Sequence, residues 1–499
     1  MSGAKSTTDE VQQPSDGKQQ QGKQEVRQYK WAWCAVAVIL VGEILDLLDA
    51  LVTTTAGPKI MADLGTSNSF IQWLGAGYTI AMAAGLLIGG RLGDIYGRRR
   101  LFLVGMTGFT IASLLSATAM SPDVLIACRV LQGLLGALMV PQALGMIREM
   151  FPVEKVGIAL GLTGPVMASA GVAGPIFAGW LVDADYFGWG WRMIFAVNVP
   201  VGVAALSLGF VLLPKSRPDR TLRIDIGGAA LAALAMAAIV FPLVQGRELG
   251  WPWWIWIMLV CGPLLLLLFA RSQSRRARAG HSPLVEPSLF GKKPFLAGLS
   301  FGALFFSVMM GGTLLLSMYL QLGLGLSPLR SGVTLSTQAI GMVVGFGLSQ
   351  ALGMRRSTMY WGLTVTATGI LGTLAAIWLQ EEPVTAWWLS LPITLVGVGS
   401  GLVIAPFFGI VLSGVDDYET GSASGALTSA QQVGNSLGVA ILGSVFFSFA
   451  GAELTPAGSA HAAELALFCA LALVAAAAIV ATQLPRRDTS GDGETLETQ

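Results

Sequence analysis

Apolar residues in this chain come in long runs rather than in alternation with polar ones. Read with a window of about 19 residues, they form roughly fourteen segments. These lie near 31–55, 69–91, 101–120, 123–147, 157–182, 192–213, 225–244, 252–270, 295–320, 330–350, 358–379, 386–412, 421–449 and 463–484. Each approaches the ~20 residues that a helix needs to cross a hydrocarbon core about 30 Å thick. Lipid offers no partner to a free backbone group, so a spanning run must be a helix or a closed-barrel strand. Length and the lack of a period-two pattern select helices. The expected fold is an all-α membrane protein with about fourteen transmembrane helices.

Composition agrees with that pattern. Of 499 residues, 54% are hydrophobic and 12% charged, where a soluble domain carries about 25% charged. Mean hydropathy is +0.67. A soluble enzyme is excluded. The polar, Gln- and Lys-rich stretch 1–30 has no apolar core followed by a small-residue cleavage site, so no cleaved signal peptide is expected. It reads as a disordered tail, as does 486–499. Cys34, Cys128, Cys261 and Cys469 stand alone in apolar runs with no ligand or redox spacing, and read as packing residues.

A net charge of +1 says nothing either way about a nucleic-acid partner, and none is expected; where the charges sit is more informative. Basic loops follow the even-numbered runs: Arg98–Arg100, Arg148 with Lys155, Lys215 to Arg223, Arg271 to Lys293, and Arg355–Arg356. The other set of loops holds only Lys59, Arg192, Arg247 and Arg330. The positive-inside rule then places both termini in the cytoplasm. Two charged, Pro-containing stretches, one at Pro214–Arg223 and one at Arg271–Pro294, divide the runs into a 6 + 2 + 6 layout. The expected units are a six-helix bundle at 31–213, two linker helices with flanking loops at 214–294, and a second bundle at 295–485. Helical halves around a midplane site are a recurrent transporter plan.

Four ionisable residues lie deep inside the runs: Glu43, Asp46 and Asp49 on the first, and Arg129 on the fourth. Each costs at least about 2.5–3.5 kcal/mol at a helix centre, so such groups face a cavity or a partner. The i, i+3, i+6 spacing sets the three acids along one stripe. With the first helix ending near Pro58, Asp49 lies roughly 13 Å and Asp46 about 18 Å below the outer surface, with Arg129 roughly 10 Å deep. One ion pair between Arg129 and Asp49 fits those levels. A single arginine cannot neutralise three carboxylates, and mutual repulsion favours one of them taking up a proton.

After the second run comes Gly90-Arg91-Leu92-Gly93-Asp94-Ile95-Tyr96-Gly97-Arg98-Arg99-Arg100. It reads as a tight turn built by Gly93 and Gly97, with Asp94 free to meet a helix N-terminus and the arginines facing phosphate headgroups. This stretch resembles the signature loop of the major facilitator superfamily. Arg129-Val130-Leu131-Gln132-Gly133 resembles that family's fourth-span motif, and Gly161, Gly174, Pro175 and Gly179 resemble its fifth-span antiporter motif. Ala170 and Ala178 stand where that motif usually has glycine. Further stretches are similar to the fourteen-span drug:proton antiporter branch: Trp191–Phe195 with Asn198-Val199-Pro200, Tyr319-Leu320-Gln321 with Ser327-Pro328-Leu329, and Gly421–Gly425 with Gln432 and Gly434. Asp49 and Pro58 match the branch's first-span pattern, whereas Leu51 and Thr54 depart from it and Glu43 and Asp46 are additional acids.

The resemblance, which covers about 31–485, implies proton-coupled export of small amphipathic drugs or antibiotics by alternating access across a bacterial inner membrane. By it, Glu43, Asp46, Asp49 and Arg129 would together serve proton coupling and substrate charge, with Asp46, Asp49 and Arg129 exchanging protons. Asp94 and Arg98, set by Gly90, Gly93 and Gly97, would latch the cytoplasmic side. No cofactor is implied, since the proton gradient supplies the drive; the partners are the substrate, protons and lipid, with function as a monomer. An exporter dedicated to one endogenous metabolite, self-made antibiotic or siderophore is the alternative, and a passive channel or sensor a more distant one. A membrane enzyme lacks support: His281 and His461 fall on opposite sides, there is no phosphate-cradling loop, and Gly397–Gly401 reads as helix packing. Trp251, Trp253 and Trp254 are expected at the outer interface, where indoles are enriched.

Overall fold

The computed structural model describes residues 29–152, 155, 159, 163–215, 225–281, 283–379, 386–413, 415–416, 419–450 and 455–485. Apart from Tyr29 and Lys30, the two expected tails lie outside the described residues, as do 216–224. Among the described residues there is no strand. The first group of helices comprises α1 (Ala32–Ala50), α2 (Val52–Leu64), α3 (Asn68–Tyr96), α4 (Arg98–Ala117), α5 (Pro122–Met150), α6 (Thr163–Ala184), α7 (Arg192–Ala196) and α8 (Asn198–Leu212). Then come α9 (Ile226–Gln245) and α10 (Trp253–Arg278). The last group is α11 (Lys293–Met318), α12 (Pro328–Leu352), α13 (Arg356–Leu379), α14 (Ala386–Leu412), α15 (Thr420–Phe449) and α16 (Pro456–Ala481).

Among the described residues, 12 helical segments are long and apolar enough to cross a membrane, α7 and α8 counting as one. α1 and α6 are not among them. α1 carries three carboxylates in 19 residues. Several helices start where the sequence places a hydroxyl residue before proline. Ser121, Ser327 and Thr455 each accept the backbone N–H three residues on, and the following proline takes the first helical position. Proline is suited to that position because its missing N–H would have had no partner there.

The first span runs further than its apolar run and is broken. α1 stops at Ala50, Leu51 donates back to Leu48 O at 3.1 Å, and α2 continues past Pro58 to a left-handed Gly65. Hydropathy drops at Thr53–Thr55, but a helix continues wherever its backbone bonds can, and Lys59 and Asp63 can reach water. Cys34 and Cys261 are exposed on helix flanks and only Cys128 is fully buried, so two of the four thiols do not pack in the core as expected.

Within the first group α3 and α4 pack on α5; within the last, α12 and α13 pack on α14, and α11 on α15. The groups meet through α3 against α15 and α6 against α12. α9 and α10 pair with each other, and α9 rests on α3 and α15. α10 leaves Trp256, Val260, Leu264, Leu267 and Leu268 exposed, an apolar face suited to lipid rather than water. Gly397, Gly399 and Gly401 lie in α14, where a Cβ would strike α12 or α13. They serve helix packing.

The groups are joined most closely at the end remote from the termini. Ser317 and Gln321 donate to Thr54 O, and Gln321 also to Thr55 O at 3.2 Å. Leu329 N donates to Asp183 at 3.0 Å and Ser336 to Val172 O at 2.8 Å. At the same end, Arg192 and the Trp191 indole donate to Asp63 at 2.7 and 3.0 Å. These hydrogen bonds, that of Arg192 first, hold the Asp63 carboxyl below its ordinary 3.8. A depressed carboxylate contributes stability above its ordinary value and loses it as pH falls through the lower folded one. Relative to wild type, Asp63→Asn should therefore show a constant loss, at most about 1 kcal/mol, from pH 8 to 5. The loss should shrink below pH about 4. Thermal unfolding in detergent against pH checks this; a difference that persists undiminished at pH 3 would contradict it.

Candidate functional site

The acids of α1 lie against helices of the first group. Gly42 lets α1 approach α4 and α5, since a Cβ there would meet Met106, Phe102 and Met139. Two turns on, Asp49 is completely buried, as is Arg129 on α5, and the two form an ion pair. Asp49 Oδ1 also accepts from Gln132 Nε2 at 2.9 Å and from Asn198 Nδ2 at 3.3 Å. Arg129 donates further to Leu74 O at 3.2 Å and to Gln132 Oε1 at 3.2 Å. Gln132 in turn donates to Ser113 at 3.0 Å. A buried pair holds only if its remaining lone pairs and protons find partners, and α3, α4, α5 and α8 supply them. Arg129 Nη2 and Asn198 Oδ1 have no hydrogen-bond partner among the described residues. The network is not saturated in this conformation.

Asp46 and Glu43 sit differently. Both are only partly buried. The Tyr78 hydroxyl on α3 donates to Asp46 Oδ1, while the Tyr78 ring lies under the Arg129 guanidinium at 4.4 Å. Gly136 on α5 makes room for Asp46, since a Cβ would stand 2.6 Å from its Oδ1. Asp46, Asp49 and Arg129 thus come together through Tyr78, and Glu43 lies one turn further along α1. Side-chain bonds near the contact of the groups are neutral: Gln432 on α15 donates to Met82 Sδ on α3 at 2.8 Å, Asn435 to Gln432 at 2.6 Å, and Thr313 on α11 to Gln338 on α12 at 3.2 Å.

The signature stretch is tighter than its glycines suggest. α3 runs through Gly90 and Gly93 to Tyr96, and Gly97 alone makes the turn, at φ +94°. Gly93 is small for another reason: a Cβ would stand 1.8 Å from Gln142 Oε1, and Gln142 donates to Gly89 O at 2.7 Å. Asp94 meets Arg98 at 2.9 Å rather than a remote helix end, and Arg98 also reaches Glu149 at 3.3 Å. Both ion pairs stay within the first group.

The fifth-span glycines fit against neighbouring helices. A Cβ on Gly174 would strike Leu51 and Leu48 of the first span, and one on Gly179 would stand 2.6 Å from Pro328 O of α12. The Pro175 carbonyl meets Gly332 of α12, where a Cβ would stand 2.2 Å away. Gly161 lies outside the described residues. His281 and His461 are exposed. Sequence reasoning missed Tyr78, Glu149 and Glu419, the last completely buried and paired with Lys292 at 2.6 Å. For Tyr78 a signal exists: a hydroxyl inside an apolar run needs a partner.

The sequence profile described as "Major Facilitator Superfamily" matches residues 39–231 and 226–439. The "Probable actinorhodin transporter" of Streptomyces coelicolor is 45% identical over 430 residues, 86% of this chain and 74% of that protein. The "Tetracenomycin C resistance and export protein" of Streptomyces glaucescens is 34% identical over 425 residues, 84% of this chain and 77% of its own. "Multidrug efflux pump LfrA" of Mycolicibacterium smegmatis is 31% identical over 464 residues, 91% of this chain and 88% of its own. Among solved structures, a D-xylose–proton symporter superposes with TM-score 0.64 at 15% identity, over 91% of this chain and 98% of that one. A peptide transporter in complex with sulfate gives 0.65 at 14% identity, over 90% and 95%. At such identity the likeness is one of fold alone. Since the sequence profile and the fold agree over most of its length, the chain belongs to the major facilitator superfamily and is a multi-pass membrane transporter, not an enzyme.

Proposed function

We propose that the chain is a proton-coupled exporter of small amphipathic antibiotics and drugs, working by alternating access as a monomer in a bacterial inner membrane. The observation that carries this reading is the Asp49–Arg129 pair with Asp46 and Glu43 on the same helix, three carboxylates against one guanidinium inside a membrane-spanning helical group. Buried carboxylates in excess of their counter-charge mark proton relays and substrate paths inside membranes. Relatives named for antibiotic export and drug efflux point to the substrate class. In this reading α1–α2 act as one span and α6 as another, giving about fourteen in a 6 + 2 + 6 layout with both termini cytoplasmic. The close contacts at the end remote from the termini then correspond to an inward-facing state, with the acids reached from the cytoplasm.

A second reading, export of one self-made antibiotic, is favoured by the 45% identity to an actinorhodin transporter. Proteoliposomes carrying a pH gradient, followed by a trapped dye, separate the two. Ethidium, puromycin and tetracenomycin C are added one at a time. Collapse of the gradient by several of them, lost in the Asp46→Asn/Asp49→Asn double variant, is the expected result. Collapse by one compound alone favours the dedicated exporter, and substrate movement with no proton flux would refute antiport.

In the same reading Arg98 with Asp94 and Glu149 forms the cytoplasmic latch. Its pairs are partly exposed, so Asp94→Ala should change stability by no more than about 0.5 kcal/mol. Turnover should nonetheless slow severalfold at unchanged expression. Wild-type turnover in that variant would remove the latch role.

A further inference from the structure

We propose that Asp46, held by Tyr78, is the carboxylate that loads and unloads the proton, while Asp49 stays ionised throughout as the counterion of Arg129. This rests on the antiport reading above and assigns its proton to one residue.

The argument is about who can share a hydrogen. The partners of Asp49 are three N–H donors, Arg129, Gln132 and Asn198. Gln132 is held in that orientation because its own oxygen accepts from Arg129 and, at 3.4 Å, from Ser116. A protonated Asp49 could donate only if the Asn198 amide turned over, giving up its bond to Asp49 to present its unpartnered Oδ1, in a site with no exposure to water. Asp46 meets a hydroxyl instead, which both donates and accepts. As the structure stands, Tyr78 donates to the ionised Asp46. When a proton from water adds to Asp46, the acid O–H can donate to Tyr78. The Tyr78 hydrogen then turns to the Asp46 backbone carbonyl, 3.5 Å from the same hydroxyl. No polar group is stranded in either form, and the proton returns to water by the reverse step. Asp46 is also less completely enclosed than Asp49.

Tyr78 carries the change onward. Its hydroxyl is on Asp46 and its ring is under Arg129, so the hydroxyl's turn is felt at the Arg129–Asp49 pair. The charged and titratable groups facing Asp46 are Asp49 and, one turn back, Glu43 on its own helix, Tyr78 on α3 and Arg129 on α5. Neither α6 nor α8 carries an ionisable side chain at this level. Asp46 is therefore the proton site, and Tyr78 a positioning residue that ties it to the buried ion pair.

The full chain in proteoliposomes, with labelled tetracenomycin C and with ethidium, tests this by comparing proton-driven uptake with counterflow exchange at equal pH on both sides. For Asp46→Asn the ratio of proton-driven to exchange rate should fall at least about tenfold. Tyr78→Phe keeps the ring under Arg129 but removes the donor to the ionised acid, so the midpoint of its pH profile should move upward. Asp49→Asn should depress both rates together. A wild-type ratio in Asp46→Asn, or a ratio lost only in Asp49→Asn, would overturn the assignment. Wild-type vesicles with transport but no proton flux would overturn the antiport reading itself, and the assignment with it.

Discussion

Arg129→Ala should destabilise the folded protein by about 3–5 kcal/mol, the cost of leaving a buried charge without its partner. Both side chains are completely buried, so Asp49 cannot turn to water when the guanidinium is gone. Gln132 loses one donor to its oxygen, and the Leu74 carbonyl loses another. The double variant Arg129→Leu/Asp49→Asn removes both charges, and should recover most of the loss, because replacing both partners of a buried pair is far cheaper than breaking it. Thermal unfolding in detergent, followed by size-exclusion chromatography, reads both outcomes. An unchanged melting temperature in Arg129→Ala would mean that the pair is not made as described. Transport should be absent in both variants, which separates stability from function.

Gly332→Val should hold the helical groups apart at the end remote from the termini. A Cβ at this position would stand 2.2 Å from Pro175 O, and a backbone carbonyl within a helix has little freedom to retreat. Overpacking of this kind costs about 1–3 kcal/mol. The cost falls only on the state in which α6 and α12 touch, so it shifts the equilibrium away from that state by about 5- to 150-fold. Spin labels at the exposed positions Trp180 and Val333 should show a longer distance gaining population, with a matching fall in transport rate. A distance distribution identical to wild type would show that this contact does not limit the closed state. The protein should stay folded, because each group keeps its own internal packing.

How much of this was legible beforehand differs sharply by feature. Helix position was nearly all visible, because an apolar run in lipid has few alternatives and the run itself carries the information. The break at Leu51 was not: nothing in the apolar pattern marks it, and the helix beyond it keeps going through Thr53–Pro58 to Gly65. Gly93 and Gly97 looked like two halves of one turn. Only Gly97 takes a positive φ; Gly93 is small because Gln142 crosses it, a fact that belongs to another helix. The Arg129 level against Asp49 could be reckoned from helical rise. Glu149 and Glu419 could not be foreseen as partners, because their significance comes from residues far away in the chain; Tyr78 announces a need for a partner but not which one.

The three acids of α1 show where sequence ends and tertiary structure begins. Their spacing puts them on one side of a helix, yet each step of three residues turns by about −60°, so Glu43 and Asp49 face directions roughly 120° apart. The sequence alone determined that the chain lies in a membrane, where its helices run, that it carries excess acid inside them and which family it resembles, since each of these depends on local composition or a contiguous motif. Only the tertiary structure decided that Asp49 is enclosed by Arg129, Gln132 and Asn198 while Asp46 meets Tyr78. That choice depends on how far each neighbouring helix is rotated and at what depth it crosses, and no single helix encodes either.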